Sequence, residues 1–333
     1  MSDDSTARDG FGQQLITAVA IGLVVAFLVW VGEAPPSPPR TDWDYFWVAA
    51  RALVHGQDPY GGVAAEVAAG RLDVPLYYPA TAPLILAPLG ALSRRLAFAL
   101  WAGGGIGLLA FALAKQGMWR LWGLLSAPVL VATFQGQWST WLTAGAVLPW
   151  LGFVWAAKPS IGLALFAGWP SRSAAIGGAL VVLLSLIVVP GWVGEWLEVI
   201  RGTPHYLAPI LRPGGFLLLL AFLRWRRPEA RMLGALALIP HTTNPYDMVP
   251  LLLIPQSRLE LAAFMGLGYI AQALIKAPAR VPPYDPLDLP VRWLAMNWMT
   301  FLLLVYLPCL LMVLRRPQGK PASSPTESPG GTQ

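Results

Sequence analysis

Thr41-Asp42-Trp43-Asp44-Tyr45-Phe46-Trp47-Val48-Ala49-Ala50-Arg51-Ala52-Leu53, running on to Gly56-Gln57-Asp58-Pro59-Tyr60, is a short polar island in an apolar chain. It follows an apolar run over roughly residues 15–31, long enough to cross ~30 Å of hydrocarbon. Asp3, Asp4, Arg8 and Asp9 precede that run without a basic leader, so the run reads as a retained first span and not a cleaved signal peptide. Thr41 and Asp44 have capping-box spacing, which starts a helix at Thr41, and Gly56 ends it. Trp43, Phe46, Trp47, Ala50, Leu53 and Val54 recur every three or four residues, the pattern of an amphipathic helix lying in the membrane interface. A carboxylate held just outside the membrane, beside aromatic rings and an arginine, is a candidate base for chemistry at the lipid–water boundary.

The rest of the chain sets the class. Only 12% of the 333 residues are charged against 56% hydrophobic, and soluble domains carry about 25% charged residues. With a mean hydropathy of +0.56, the expectation is an all-α polytopic membrane protein. The 16 tryptophans suit the headgroup level, and 32 prolines are tolerable where neighbouring helices satisfy the freed backbone groups. The net charge of +6 does not mark a nucleic-acid binder, because the basic residues are dotted between apolar segments. A single cysteine, Cys309, excludes an intramolecular disulfide.

Apolar stretches follow one another from Ala80–Leu92 to 293–314, and counting them predicts about ten to twelve crossings. Arg94-Arg95, Arg172, Arg224 with Arg226-Arg227 and Arg231, Arg258, and Arg315-Arg316 fall at alternate ends of these stretches. The positive-inside rule then places those ends in the cytoplasm. The loops holding Asp42, Lys158, Glu195 to His205, His241 to Asp247 and Lys276 to Arg292 lie outside on this reading. The expected organisation is a cytoplasmic N-terminus (1–14), a membrane domain (15–316) with its first extracytoplasmic loop at 32–78, and a disordered cytoplasmic tail (317–333). Pro35-Pro36-Ser37-Pro38-Pro39 opens that loop as a stiff extended connector.

Asp42 to Leu53 with Gly56 to Tyr60, then Tyr78-Pro79 before Ala82-Pro83-Leu84, Gly136-Gln137, and Lys158-Pro159, resemble in order the blocks of a known family. These are the polyprenol-phosphate-mannose-dependent mannosyltransferases, glycosyltransferase family 87, of the GT-C superfamily. The resemblance covers roughly residues 15–170; beyond it only hydropathy matches. Ala80 stands where the family has a second proline, and the chain is shorter than is usual for the family.

The resemblance implies a GT-C-like helical bundle with an extracytoplasmic site in a bacterial plasma membrane. It further implies an inverting transfer of a sugar, mannose in the family, from a polyprenyl phosphate to a glycolipid, polysaccharide or protein of the cell envelope. No cofactor is expected, the lipid-linked sugar being a substrate, and no metal. Asp42 matches the loop aspartate that the family uses as base, against a first-turn aspartate favoured only by the helix dipole. Asp44 is the second catalytic candidate, with helix capping the plainer role. Arg51 is a candidate for a lipid phosphate or for headgroups, and Lys158 for phosphate or for snorkelling. Tyr77 and Tyr78 suit a sugar pocket or an aromatic belt, and Gln137 either the site or packing. His241 and Asn244 belong to a polar loop that suits phosphate or acceptor. Gly103-Gly104-Gly105, within an apolar span, reads as a helix-packing surface. The rival classes are a transporter or lipid flippase, for which repeats and mid-span charges would speak, and an inactive envelope-assembly subunit.

Overall fold

The computed structural model describes residues 3–33, 41–201, 207–242, 244–275 and 297–318, with side chains from residue 10 onward. The proline connector, His205, the Lys276–Arg292 loop and residues 319–333 of the tail lie outside the described residues. Among those described, every regular element is a helix. The α-helices are α1 (Asp3–Gly32), α2 (Asp42–Val54), α3 (Pro59–Ala68), α4 (Thr81–Gly90), α5 (Arg94–Gln116), α6 (Ala127–Phe134), α7 (Ser139–Val147), α8 (Pro159–Gly168), α9 (Arg172–Val188), α10 (Trp192–Arg201), α11 (Pro228–Leu238) and α12 (Arg258–Leu274). The last, α13 (Asn297–Leu314), contains a π-helical turn at Leu302–Tyr306. Between them run 3-10 segments at Met118–Leu125, Pro149–Ala157, Gly215–Arg224 and Pro245–Leu253. The N-terminal segment expected to stand apart is continuous with the first span, since α1 begins at Asp3.

Among the described residues, three stretches are long and apolar enough to cross a membrane: Gly10–Gly32, Arg94–Gln116 and Asn297–Leu314. A fourth is made by α9 and α10 if that pair, bent by 98°, is one span. The expected ten to twelve crossings are therefore not present as single helices. The physical reason is local. Prolines and glycines cut the remaining apolar sequence into pieces such as the eight-residue α6 and the ten-residue α8. At ~1.5 Å per residue such pieces cover only half of a bilayer or less. Large apolar side chains such as Phe27 on α1 and Ile187 on α9 remain exposed, a surface suited to a bilayer.

The α1–α5 pair is antiparallel. Phe11 meets Phe111 edge-on at 5.7 Å near one end, and Arg95 Nε donates to the Trp30 carbonyl at 2.6 Å at the other. Gly103 allows this close approach: a Cβ there would lie 2.6 Å from the Gly22 carbonyl oxygen and from Ala26 Cβ. The glycine run thus serves packing, as its sequence context suggested.

This hairpin corrects the topology. Arg94 pairs with both Glu33, just past α1, and Asp44 in the first turn of α2. Arg94-Arg95 therefore sits at the same end of the bundle as Asp42, not at the alternate end. The apolar stretch 80–92, counted as a crossing, is the ten-residue α4, which packs on α2. The first insertion between spans consequently runs to Ser93 and not only to residue 78.

Trp43, Phe46 and Ala50 of the α2 stripe are covered by protein, while Trp47 and Leu53 are half-buried and Val54 is exposed. Trp43 stacks on Phe98 with ring centroids 5.5 Å apart, and Phe46 meets Tyr78 edge-on at 4.6 Å. Trp43, Phe46, Ala49 and Ala50 are buried. A second gathering of charge marks the far end of the bundle. Arg316 donates to Glu229 at 3.2 Å and to Glu260 at 2.5 Å, Arg227 donates to Glu229 at 3.1 Å, and Arg224 holds the Arg316 carbonyl at 2.7 Å.

Candidate active site

Asp42 opens α2, and the turn after α6 is folded against it. Gly136 has φ +67°, a left-handed conformation, and a Cβ there would lie 2.7 Å from Trp43 Cβ. Only glycine meets both demands without strain. The turn delivers a glutamine on each side. The Gln135 Oε1 accepts the Asp42 N–H at 3.3 Å, and Gln137 Nε2 donates to the Asp42 carboxylate. Gln137 is itself oriented by the Tyr78 hydroxyl, which donates to its Oε1 at 3.0 Å. The hydroxyls of Tyr45 and Tyr246 bond the same carboxylate. Burial pushes the Asp42 pKa above the usual carboxylate range, and these hydrogen bonds with the nearby Lys158 charge only partly offset it. The result is a held, oriented and basic carboxylate.

Across from it lies a buried ion pair. Lys158, at the break between the 3-10 segment Pro149–Ala157 and α8, is paired with Asp247. The Thr242 hydroxyl donates to the other oxygen of Asp247. The Lys158 ammonium also lies 5.0 Å from the Tyr246 ring centroid and 5.5 Å from that of Tyr78. Lys158 therefore does not snorkel: its charge is buried and paired with Asp247 at the cavity wall.

His241 is buried in the same wall. Its Nδ1 lies 2.8 Å from the Ile239 carbonyl, which can only accept, so Nδ1 carries the proton. Nε2, 3.2 Å from the Tyr306 hydroxyl, then accepts from it. Burial lowers the His241 pKa, so the ring is a neutral, oriented group and no fixed positive charge.

These groups line one cavity of about 400 Å³. Asp42, Tyr77, Tyr78, Lys158, His241 and Asn244, six of the nine residues singled out in the sequence, form part of its wall. Gln137 stands immediately behind, on the Asp42 carboxylate. Asn244 donates to the Tyr246 hydroxyl at 2.6 Å, and the Trp196 indole donates to the Tyr77 carbonyl at 3.0 Å. A second, largely apolar groove of about 370 Å³ lies beside the cavity and shares Pro79, Pro159 and Trp196 with it. Small residues of α9, Ala175, Gly178 and Ala179, face Trp155 and Phe166 along this groove.

Two predicted residues are elsewhere. Asp44 accepts the Thr41 N–H at 2.8 Å and is paired with Arg94, away from the cavity wall. Its carboxylate holds the start of α2 and fastens it to α5. Arg51 is exposed, 5.2 Å over the Trp47 ring, beside a separate pocket with His55 and Glu66. Asp58 caps α3, accepting from Tyr60 N–H at 3.2 Å and Gly61 N–H at 2.5 Å.

Sequence reasoning missed Tyr45, Gln135, Trp196, Tyr246 and the pairing of Asp247. Tyr45 was within reach, since it stands three residues after Asp42 on one helix face. Asp247 had a signal as well: a buried lysine needs a carboxylate, and Asp247 is the acid of the polar loop. Gln135, Trp196 and Tyr246 reach the site only through tertiary packing.

Among the described residues no three His, Cys, Asp or Glu side chains gather as a metal-binding set. No protein-family model, curated protein or solved structure matches the chain.

Proposed function

We propose that this protein is a membrane-embedded inverting glycosyltransferase of the GT-C type. It moves a sugar, mannose by the family resemblance, from a polyprenyl phosphate to a hydroxyl of a glycolipid, polysaccharide or protein acceptor. One observation carries the reading: a polar, aromatic-walled cavity built around the held Asp42 carboxylate adjoins an apolar groove across Pro79, Pro159 and Trp196. An amphiphilic donor fits that shape, with its sugar and phosphate among Tyr77, Tyr78 and Lys158 and its hydrocarbon toward Trp155 and Phe166.

In this mechanism Asp42 accepts the proton of the acceptor hydroxyl as that oxygen bonds to the anomeric carbon. The bond from carbon to phosphate oxygen breaks, and its electron pair leaves with polyprenyl phosphate. A single displacement inverts the configuration. The raised pKa makes Asp42 a stronger base than an ordinary aspartate. Lys158 meets the growing charge of the leaving phosphate, and its attraction is stronger in an enclosed site than in water. Tyr45, Gln137 and Tyr246 aim the carboxylate; neutral His241 and Asn244 offer hydrogen bonds and not charge.

The site faces outward in a bacterial plasma membrane on this reading, because the arginines around Glu229 and Glu260 mark the other end as cytoplasmic. A larger number of crossings draws support from short pieces joined end to end. The summed lengths of Met118–Leu125, at ~2.0 Å per residue, and α6, at ~1.5 Å per residue, come to about 28 Å, joined through the extended Ser126.

The test is transfer of radiolabelled sugar from a polyprenyl-phosphate donor by the purified protein in proteoliposomes. Labelled glycolipid or polysaccharide product is expected from this donor and none from a nucleotide sugar. Translocation of the donor without transfer would point to the flippase class, and neither activity to an assembly subunit.

A further inference from the structure

A cavity of about 680 Å³ lies between the 3-10 segment Met118–Leu125 and α12, toward the end of the bundle opposite Asp42. One wall is Met118, Trp119 and Trp122; the other is Arg258, Leu261 and Met265, spaced along a single helix face. We propose that this groove is a binding site for an anionic phospholipid, its phosphate on Arg258 and its acyl chains against the apolar walls.

Charge complementarity carries the choice of occupant. Arg258 is exposed and makes no ion pair among the described residues. Its acidic neighbour Glu260 is committed, accepting from Arg316 at 2.5 Å and from the Gln256 N–H at 2.7 Å. Arg120, 5.5 Å from the Trp119 ring centroid, is buried. Its guanidinium bonds only the Leu252 and Leu253 carbonyls, at 3.3 and 3.4 Å, with no carboxylate among the described residues. Arg258 is therefore an uncompensated cation in the wall of an apolar groove, whereas Arg120 is held against the Leu252 and Leu253 carbonyls and does not line it. A phosphodiester answers the charge and its acyl chains fill the walls. Free phosphate leaves the apolar walls unmet, and a zwitterionic lipid brings a second cation toward Arg258. Trp122, 66% exposed, adds an indole, a side chain that favours the headgroup level. The methionines supply a wall that adapts to chain shape. The site is separate from the Asp42 cavity and does not rest on the proposed transfer reaction.

The experiment uses the full chain in neutral detergent micelles, titrated with dioleoyl phosphatidylglycerol, dioleoyl phosphatidylcholine or glycerol 3-phosphate. Unfolding temperature and lipid retained in native mass spectra are the readouts. Phosphatidylglycerol should raise the unfolding temperature saturably and stay bound, and the other two should do neither. Arg258→Gln should weaken that binding about tenfold, the loss of one charge-assisted contact. Ala262→Trp, which fills the groove, should abolish it. Arg172→Gln, an exposed arginine outside the groove, should titrate like the parent. Equal effects of the two phospholipids, or of the parent and Arg258→Gln, would overturn the site. So would equal weakening by Arg258→Gln and Arg172→Gln, which assigns binding to diffuse surface charge. If Ala262→Trp does not fold, the two arginine variants still decide.

Discussion

Asp42 and Asp44 share one helical turn and have opposite surroundings. Asp44 meets a guanidinium and a helix N-terminus, so its charge is rewarded. Asp42 meets tyrosine hydroxyls, an amide and burial, so its charge costs the folded state free energy. For a group whose folded pKa is raised, the associated stabilisation is complete below the unfolded value and is lost as pH rises through the folded one. Above the folded pKa that stabilisation is gone, so there Asp42→Asn should unfold at the parental temperature or above it in detergent. Asp44→Ala should lose ~1–3 kcal/mol, because the cap is removed and Arg94 loses a carboxylate. Unfolding curves of both variants check the ranking; a large loss with Asp42→Asn would make Asp42 structural. A base must be ionised, so transfer should fall as pH drops through the Asp42 pKa, with an acid limb above the ~4 of a free aspartate. The kcat/KM–pH profile reads this directly, and a limb at or below ~4 would contradict the raised pKa. The sequence disclosed Asp42 because its surroundings along the chain are aromatic and sparse in charge. It did not disclose the neutral state of His241, which follows from burial that only tertiary packing creates.

At the scale of elements, periodicity located α2 to within two residues but could not say which of its stripe residues meet protein. A 3.6-residue stripe records an apolar neighbour, and lipid and protein leave the same pattern. The same ambiguity turned α4 into a crossing. Its apolar run has the composition of a span, but it is ten residues long and Arg94 returns to the Glu33 end. The turn at Gly136 carries a prediction of its own. Gly136→Ala asks for a left-handed alanine and drives a methyl into Trp43, at ~1–2 kcal/mol for the backbone alone. Since Gln135 and Gln137 ride on this turn, transfer should fall further than the stability loss explains, chiefly in kcat. Parental kcat in a folded Gly136→Ala protein would show that the two glutamines do not position Asp42.

At the scale of the whole molecule, composition alone identified a helical membrane protein, because 12% charged residues cannot clothe a soluble surface of this size. The number of spans was not legible, since proline and glycine divide the apolar sequence into pieces whose direction only tertiary contacts reveal. The two-ended charge layout predicts that, with Cys309 replaced, Ser93→Cys is labelled by an impermeant thiol reagent in intact cells. Ser257→Cys should react only after lysis. Protection of Ser93→Cys would return Arg94-Arg95 to the cytoplasm and contradict the hairpin of α1 and α5. The central claim, that the Asp42 carboxylate takes the acceptor proton, is tested most directly by single-turnover sugar transfer in proteoliposomes. Asp42→Asn keeps the shape of the side chain and removes its basicity. The account predicts a rate ~100- to 10,000-fold below the parent with donor binding little changed, and a far smaller loss with Asp44→Asn. Near-parental transfer by Asp42→Asn would contradict it.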